Sequence, residues 1–168
     1  MREEKQPVRR LLEQERGKFA WNCVQEIKRH PSAELQAEYR TRALTFNQMV
    51  QINGLGATLG FLKAKAKKDQ KAEKEQGEKQ EQQELNAYGH LLKHLTCWMR
   101  QRGFVTNEDE KFDALLFWVL RKADREDYRR ATTECLAFGD WLRRFAEAEL
   151  SKEGSQQAAG PGQQGGRE

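Results

Sequence analysis

Among the side chains able to do chemistry, the tightest grouping is His90, His94 and Cys97. Spacings of four and three residues put them on one face of a helix, within reach of a shared ion such as zinc. The stretch HLLKH lacks the glutamate that helical zinc proteases use as a base, and no fourth ligand is apparent. The expectation is a polar helix face with no metal and no cofactor. A second grouping is acidic: Glu108, Asp109, Glu110 and Asp113. Two-metal nucleases use such carboxylates, but the first turn of a helix also favours them through its macrodipole. No nucleophile is paired with a base, and GxGxxG, HExxH, GxSxG, P-loop and paired CxxC patterns are absent. The residues point away from an enzyme.

The cations are more informative. On a helix starting near Asp124, Arg125, Arg129 and Arg143 fall within about 40° of one another, and Arg144 flanks them. A row of arginines can grip phosphates through paired N–H donors. Glu126, Asp140 and Glu147 are interspersed, so by itself the row reads as a salt-laced solvent face. Leu136 on this outer face, with Trp118 and Trp141 flanking their own core stripes, hints at subunit contact. Arg40 and Arg42 sit beside Tyr39, and Lys63, Lys65, Lys67 and Lys68 follow a short leucine-lined helix. Lysines there also complement the dipole of a helix C-terminus.

Helices must position all of these groups. Apolar residues recur three and four apart, and β-hairpin signals are absent, so the fold class is all-α, a single bundle of about six helices. The first helix runs from about Glu3 to Arg29 and is ended by His30–Pro31. Ser32 caps a second helix, which stops at Asn53–Gly54. A short third helix carries Leu55, Leu59 and Leu62. A fourth carries Leu85, Tyr88, Leu92, Leu95 and Met99 and ends at Gly103; Thr106 with Asp109 opens a fifth; Asp124 caps a sixth reaching about Lys152. Between the two helical halves, residues 63–84 hold no large apolar residue and read as a solvated, partly helical linker. The domain is expected over 1–153, with a Gly/Gln-rich disordered tail at 154–168.

Composition narrows the function classes. The 168 residues carry 30 Lys+Arg against 26 Asp+Glu, net +4, which permits polyanion binding but is far from a histone-like polycation. The longest apolar run, Ala114 to Leu120, is far shorter than the about 20 residues of a membrane span. No secretory signal is visible, and three widely spaced cysteines suit a reducing cytoplasm.

Two stretches carry a family resemblance: NGLGATLGFL (Asn53–Leu62) and YRRATTECLAFGDWLRRFAEAEL (Tyr128–Leu150), supported by EYRTRALTFNQMVQ (Glu38–Gln51). The chain resembles the small-subunit family of the type III-B CRISPR effector, the Cmr complex, over roughly residues 5–152. Gly139–Asp140 departs from that pattern, where a bulkier residue and a Glu are expected, and should loosen the last helix locally. The resemblance implies a non-catalytic, all-helical subunit that stacks with copies of itself along guide RNA and single-stranded target RNA. Its other partners would be the large and backbone subunits, with no membrane involved. It turns the arginine row toward RNA, so the expected phosphate contacts are Arg40, Arg42, Lys63, Lys67, Arg129, Arg143 and Arg144. The expected subunit contacts are Trp118, Leu136 and Trp141. The alternative is an interaction-only helical adaptor that never touches RNA.

Overall fold

The computed structural model describes residues 8–74 and 84–152, with side chains described over 11–66 and 84–152. Among these residues six helices follow in order: α1 (Val8–Lys28), α2 (Ala33–Asn53), α3 (Leu55–Lys74), α4 (Ala87–Gln101), α5 (Ala114–Arg121) and α6 (Arg125–Glu149). No strand occurs among the described residues. The all-α bundle read from periodicity is the observed architecture.

Local chemistry explains most of the boundaries. Ser32 Oγ accepts from Leu35 N–H at 3.1 Å, and Asp124 Oδ1 from Asp127 N–H at 2.8 Å, each satisfying an orphan donor of a first turn. Gly54 has φ +85° and Gly103 φ +82°, so both chain reversals fall where glycine carries no Cβ penalty.

The helices share one hydrophobic core. Tyr39, Phe46, Leu55, Leu59, Leu91, Leu92, Leu95, Trp98, Met99 and Phe138 are buried. Trp98 and Phe138 stack with centroids 5.3 Å apart, and Phe19 of α1 closes the cluster 5.3 Å from Trp98. The long α6 packs against both α1 and α2, while α3 packs on α4. Burial of their thiols raises the pKa of Cys23 and Cys135 well above the ordinary cysteine value.

Three expectations change. First, α3 is not short: it continues to Lys74, well into the charged stretch. Ala66 is buried, and Asn86 Nδ2 donates to Lys65 O at 3.2 Å, so tertiary contact supports the extension. Residues 75–83 of the expected linker and the tail at 154–168 lie outside the described residues. Second, α5 starts at Ala114 rather than near Thr106. Arg100 Nη2 bonds Asp109 O, and Asp109 N–H returns to Thr106 O at 3.4 Å, which holds the intervening chain in turns. Third, α6 is continuous through Gly139–Asp140. Gly139 is buried against α2, so the departure from the family pattern is a packing device, not a loosening.

Candidate functional site

The α4–α5 turn and the first half of α6 enclose a cleft of about 700 Å³, lined by Arg102, Phe104, Trp118, Arg129, Arg130 and Thr133 among others. Phe104 and Trp118 meet edge to face at 5.7 Å, and the Arg130 guanidinium lies 5.7 Å from the Phe104 ring centroid. Three acidic residues line it as well: Glu126, Asp127, which lies 3.8 Å from Arg130, and Glu134. Glu134 accepts from Arg16 Nε and Nη2, both at 2.8 Å, and from Trp98 Nε1 at 2.9 Å. Burial opposes charge on Glu134, but these hydrogen bonds and the nearby Arg16 and Arg102 outweigh it and hold the carboxyl below its ordinary range. The cleft thus joins an anchored carboxylate and two aromatic rings to a lining of mixed charge.

Of the residues expected to meet phosphate, Arg129 lies at this cleft, beside Trp118. Arg143 and Arg144 are exposed farther along α6. Fourteen residues separate Arg129 from Arg143, or about 21 Å of helix, so they form a row and not one pocket. No carboxylate lies within ion-pair distance of Arg129, Arg143 or Arg144 among the described residues. Arg42 is engaged, pairing with Glu38 at 3.1 Å and lying 5.3 Å from the Tyr88 ring centroid. Arg40 is half-buried, with a buried Nε that finds no hydrogen-bond partner among the described residues. Lys63 pairs with the buried Asp113 at 2.5 Å and sits over Phe112, so it ties α3 to the start of α5. The Lys67 side chain lies outside the described residues.

The expected subunit contacts also have internal uses. Leu136 is half-buried and packs on the core, which corrects the reading of it as an outer-face residue. Trp141 covers Gly17 of α1 and donates from Nε1 to Glu13 at 3.2 Å. Trp118 keeps part of its surface at the cleft. Sequence reasoning missed Arg102, Arg130 and Phe104, which fall at an element end, off the outer row and in a turn. It also missed Glu134, a charged residue beside Cys135 on the core stripe; that position alone signals a buried partner without naming it.

The histidine face departs most from expectation. His94 is 2% exposed, not solvated. Its Nδ1 lies 2.8 Å from Tyr39 Oη and its Nε2 3.2 Å from Glu26 Oε2. His90 Nδ1 is 3.9 Å from Glu26 Oε1. Both ring nitrogens of His90 are buried without a hydrogen-bond partner among the described residues. Burial, reinforced by the neighbouring His94, pushes the His90 pKa down to about 4, and burial also lowers that of His94. Both imidazoles are therefore neutral at pH 7. The hydrogen bond from His94 draws the Glu26 carboxyl down to about 2. The third member of the cluster is thus Glu26 of α1, not Cys97.

No described helix is long and apolar enough to cross a membrane. The family model for the CRISPR-associated protein family Cas_Cmr5 matches residues 12–149. The fold is similar to the crystal structure of a CRISPR-associated Cmr5 family protein from Thermus thermophilus, with TM-score 0.58 and 24% identity. That match covers 82% of this chain and 99% of the other.

Proposed function

This chain belongs to the Cas_Cmr5 family, the small subunits of the type III-B Cmr complex, and from that membership we propose that it lines the guide RNA–target RNA duplex and helps hold target RNA by phosphate contacts. One observation carries the phosphate part: Arg129, Arg143 and Arg144 stand exposed along one helix with no carboxylate within ion-pair distance among the described residues. A guanidinium already held by a carboxylate must give up that partner to take a phosphate, and these need not. Arg40 is a secondary candidate on α2. Arg42 and Lys63, already paired, contribute less.

In this reading the subunit is non-catalytic, works in the cytoplasm and stacks with copies of itself beside the large and backbone subunits. Base pairing between guide and target reads sequence, so the protein supplies only shape and charge. A weakly basic protomer then binds RNA tightly as an array, each copy adding contacts at high effective concentration.

Photocrosslinking of the assembled complex, with reactive groups in the target RNA, tests the proposal. Crosslinks to α6 that fade in Arg129→Ala/Arg143→Ala support it. Normal assembly with no crosslink to this subunit replaces it with the interaction-only adaptor.

A further inference from the structure

We propose that Glu26, His90 and His94 form a zinc site joining α1 to α4. One donor atom from each residue lies within 4.8 Å of the other two. Tetrahedral zinc with bonds of about 2.0–2.2 Å places its ligand atoms about 3.3 Å apart. His94 Nε2 lies 3.2 Å from Glu26 Oε2 and His90 Nδ1 3.9 Å from Glu26 Oε1, one imidazole at each carboxylate oxygen, so the three side chains must close in from within 4.8 Å to share one ion.

Three further features favour a metal. His90 and His94 are one helical turn apart on α4, which aims both rings at the same point. Both His90 nitrogens are buried with no hydrogen-bond partner among the described residues, an arrangement that costs free energy unless something occupies them. Tyr39 Oη stands 2.8 Å behind His94 Nδ1. With Nε2 on the metal, Nδ1–H donates to that oxygen, which fixes tautomer and ring orientation as outer partners of zinc-bound histidines do. Two imidazoles and one carboxylate leave the fourth position to water. Two imidazoles favour zinc over magnesium or calcium, which prefer all-oxygen shells. Lys93 opposes the site: its ammonium lies 3.1 Å from Glu26 Oε1. It is partly exposed on a flexible stem and can withdraw when a cation enters.

The proposal is independent of RNA binding, because the cluster lies at the α1–α4 contact and includes none of the arginines assigned to phosphate. The test uses the full chain, stripped with chelator and titrated with zinc chloride by calorimetry and thermal melting. The expected result is about one zinc per chain, a melting temperature raised by about 5 °C or more at saturating metal, and no response to magnesium. His90→Ala and Glu26→Gln should each weaken binding at least about tenfold, while Cys97→Ser leaves it unchanged. Should either variant melt too low to titrate, cobalt substitution of the wild-type chain gives a second readout. A visible spectrum without a thiolate charge-transfer band supports the site. No saturable zinc binding, binding that survives in the Glu26 and His90 variants, or a thiolate band overturns it.

Discussion

Asn47 on α2 and Gly139 on α6 are in direct contact: the Asn47 amide donates to Leu136 O at 3.0 Å and to Asp140 Oδ1 at 2.8 Å, astride the glycine. A Cβ on Gly139 would collide with Asn47 Oδ1 and lie 2.9 Å from Phe46 Cδ1. The missing side chain sets how closely the two helices approach. Helix propensity alone says Gly139→Ala should stabilise by about 1 kcal/mol. We expect the opposite sign, a loss of about 1–3 kcal/mol from overpacking. Thermal melting decides it: a raised melting temperature would mean that Asn47 and Phe46 yield freely.

Glu134 is the polar keystone of the core. Glu134→Gln retains an acceptor for Trp98 but removes the charge facing Arg16, and we expect a loss of about 1.5–3 kcal/mol at neutral pH. The pH dependence has a definite direction. The folded-state pKa is lowered, so the stabilisation is complete above the ordinary carboxylate value of about 4.3 and is lost as pH falls through the lower folded-state value. The gap between wild type and Glu134→Gln in urea titrations should therefore narrow below about pH 4. A gap that stays constant into strong acid would show that the charge is not its source.

Tyr128 reaches from α6 to the start of α3, where its hydroxyl accepts from Gly56 N–H at 3.0 Å. That amide is one of the first-turn donors with no partner inside its helix. Tyr128→Phe deletes one oxygen and should cost about 1 kcal/mol, or about 2–4 °C of melting temperature in a domain of this size. Hydrogen exchange at Gly56 should accelerate in the same variant. Unchanged exchange there would remove the bond from the stability account.

The arginine row makes a claim about salt. Each phosphate contact to single-stranded RNA contributes about 0.7 to the slope of log affinity against log salt. Arg129→Ala/Arg143→Ala should reduce the magnitude of that slope by about 1.4 per participating copy, measured on the assembled complex with its target RNA. The same change made in Arg42→Ala, whose guanidinium is held by Glu38, should be smaller. A slope identical to wild type in the double variant would place the row outside the RNA path.

The local elements were legible in the sequence because helices depend on neighbours three and four residues away. The stripes Tyr39–Phe46–Val50 and Ala131–Cys135–Phe138–Leu142, the Ser32 and Asp124 caps and the Gly54 stop all follow from spacing within one segment. The exposed row of Arg129 and Arg143 followed from the same arithmetic, run on the opposite face.

What tertiary structure alone decided was which faces meet, and at what register. Glu26 joins His94 across 68 residues of sequence, and Arg16 joins Glu134 across 118. Lys63 meets Asp113, and Arg102 comes to the cleft that Arg129 borders. Such pairings depend on helix crossing and offset, which side-chain size sets at contacts such as Gly139 against Phe46 and Asn47. Periodicity carries no information about that offset. The sequence determined an all-α bundle of about six helices with arginines on the outer face of the last; packing determined that His90 and His94 turn to a carboxylate of another helix.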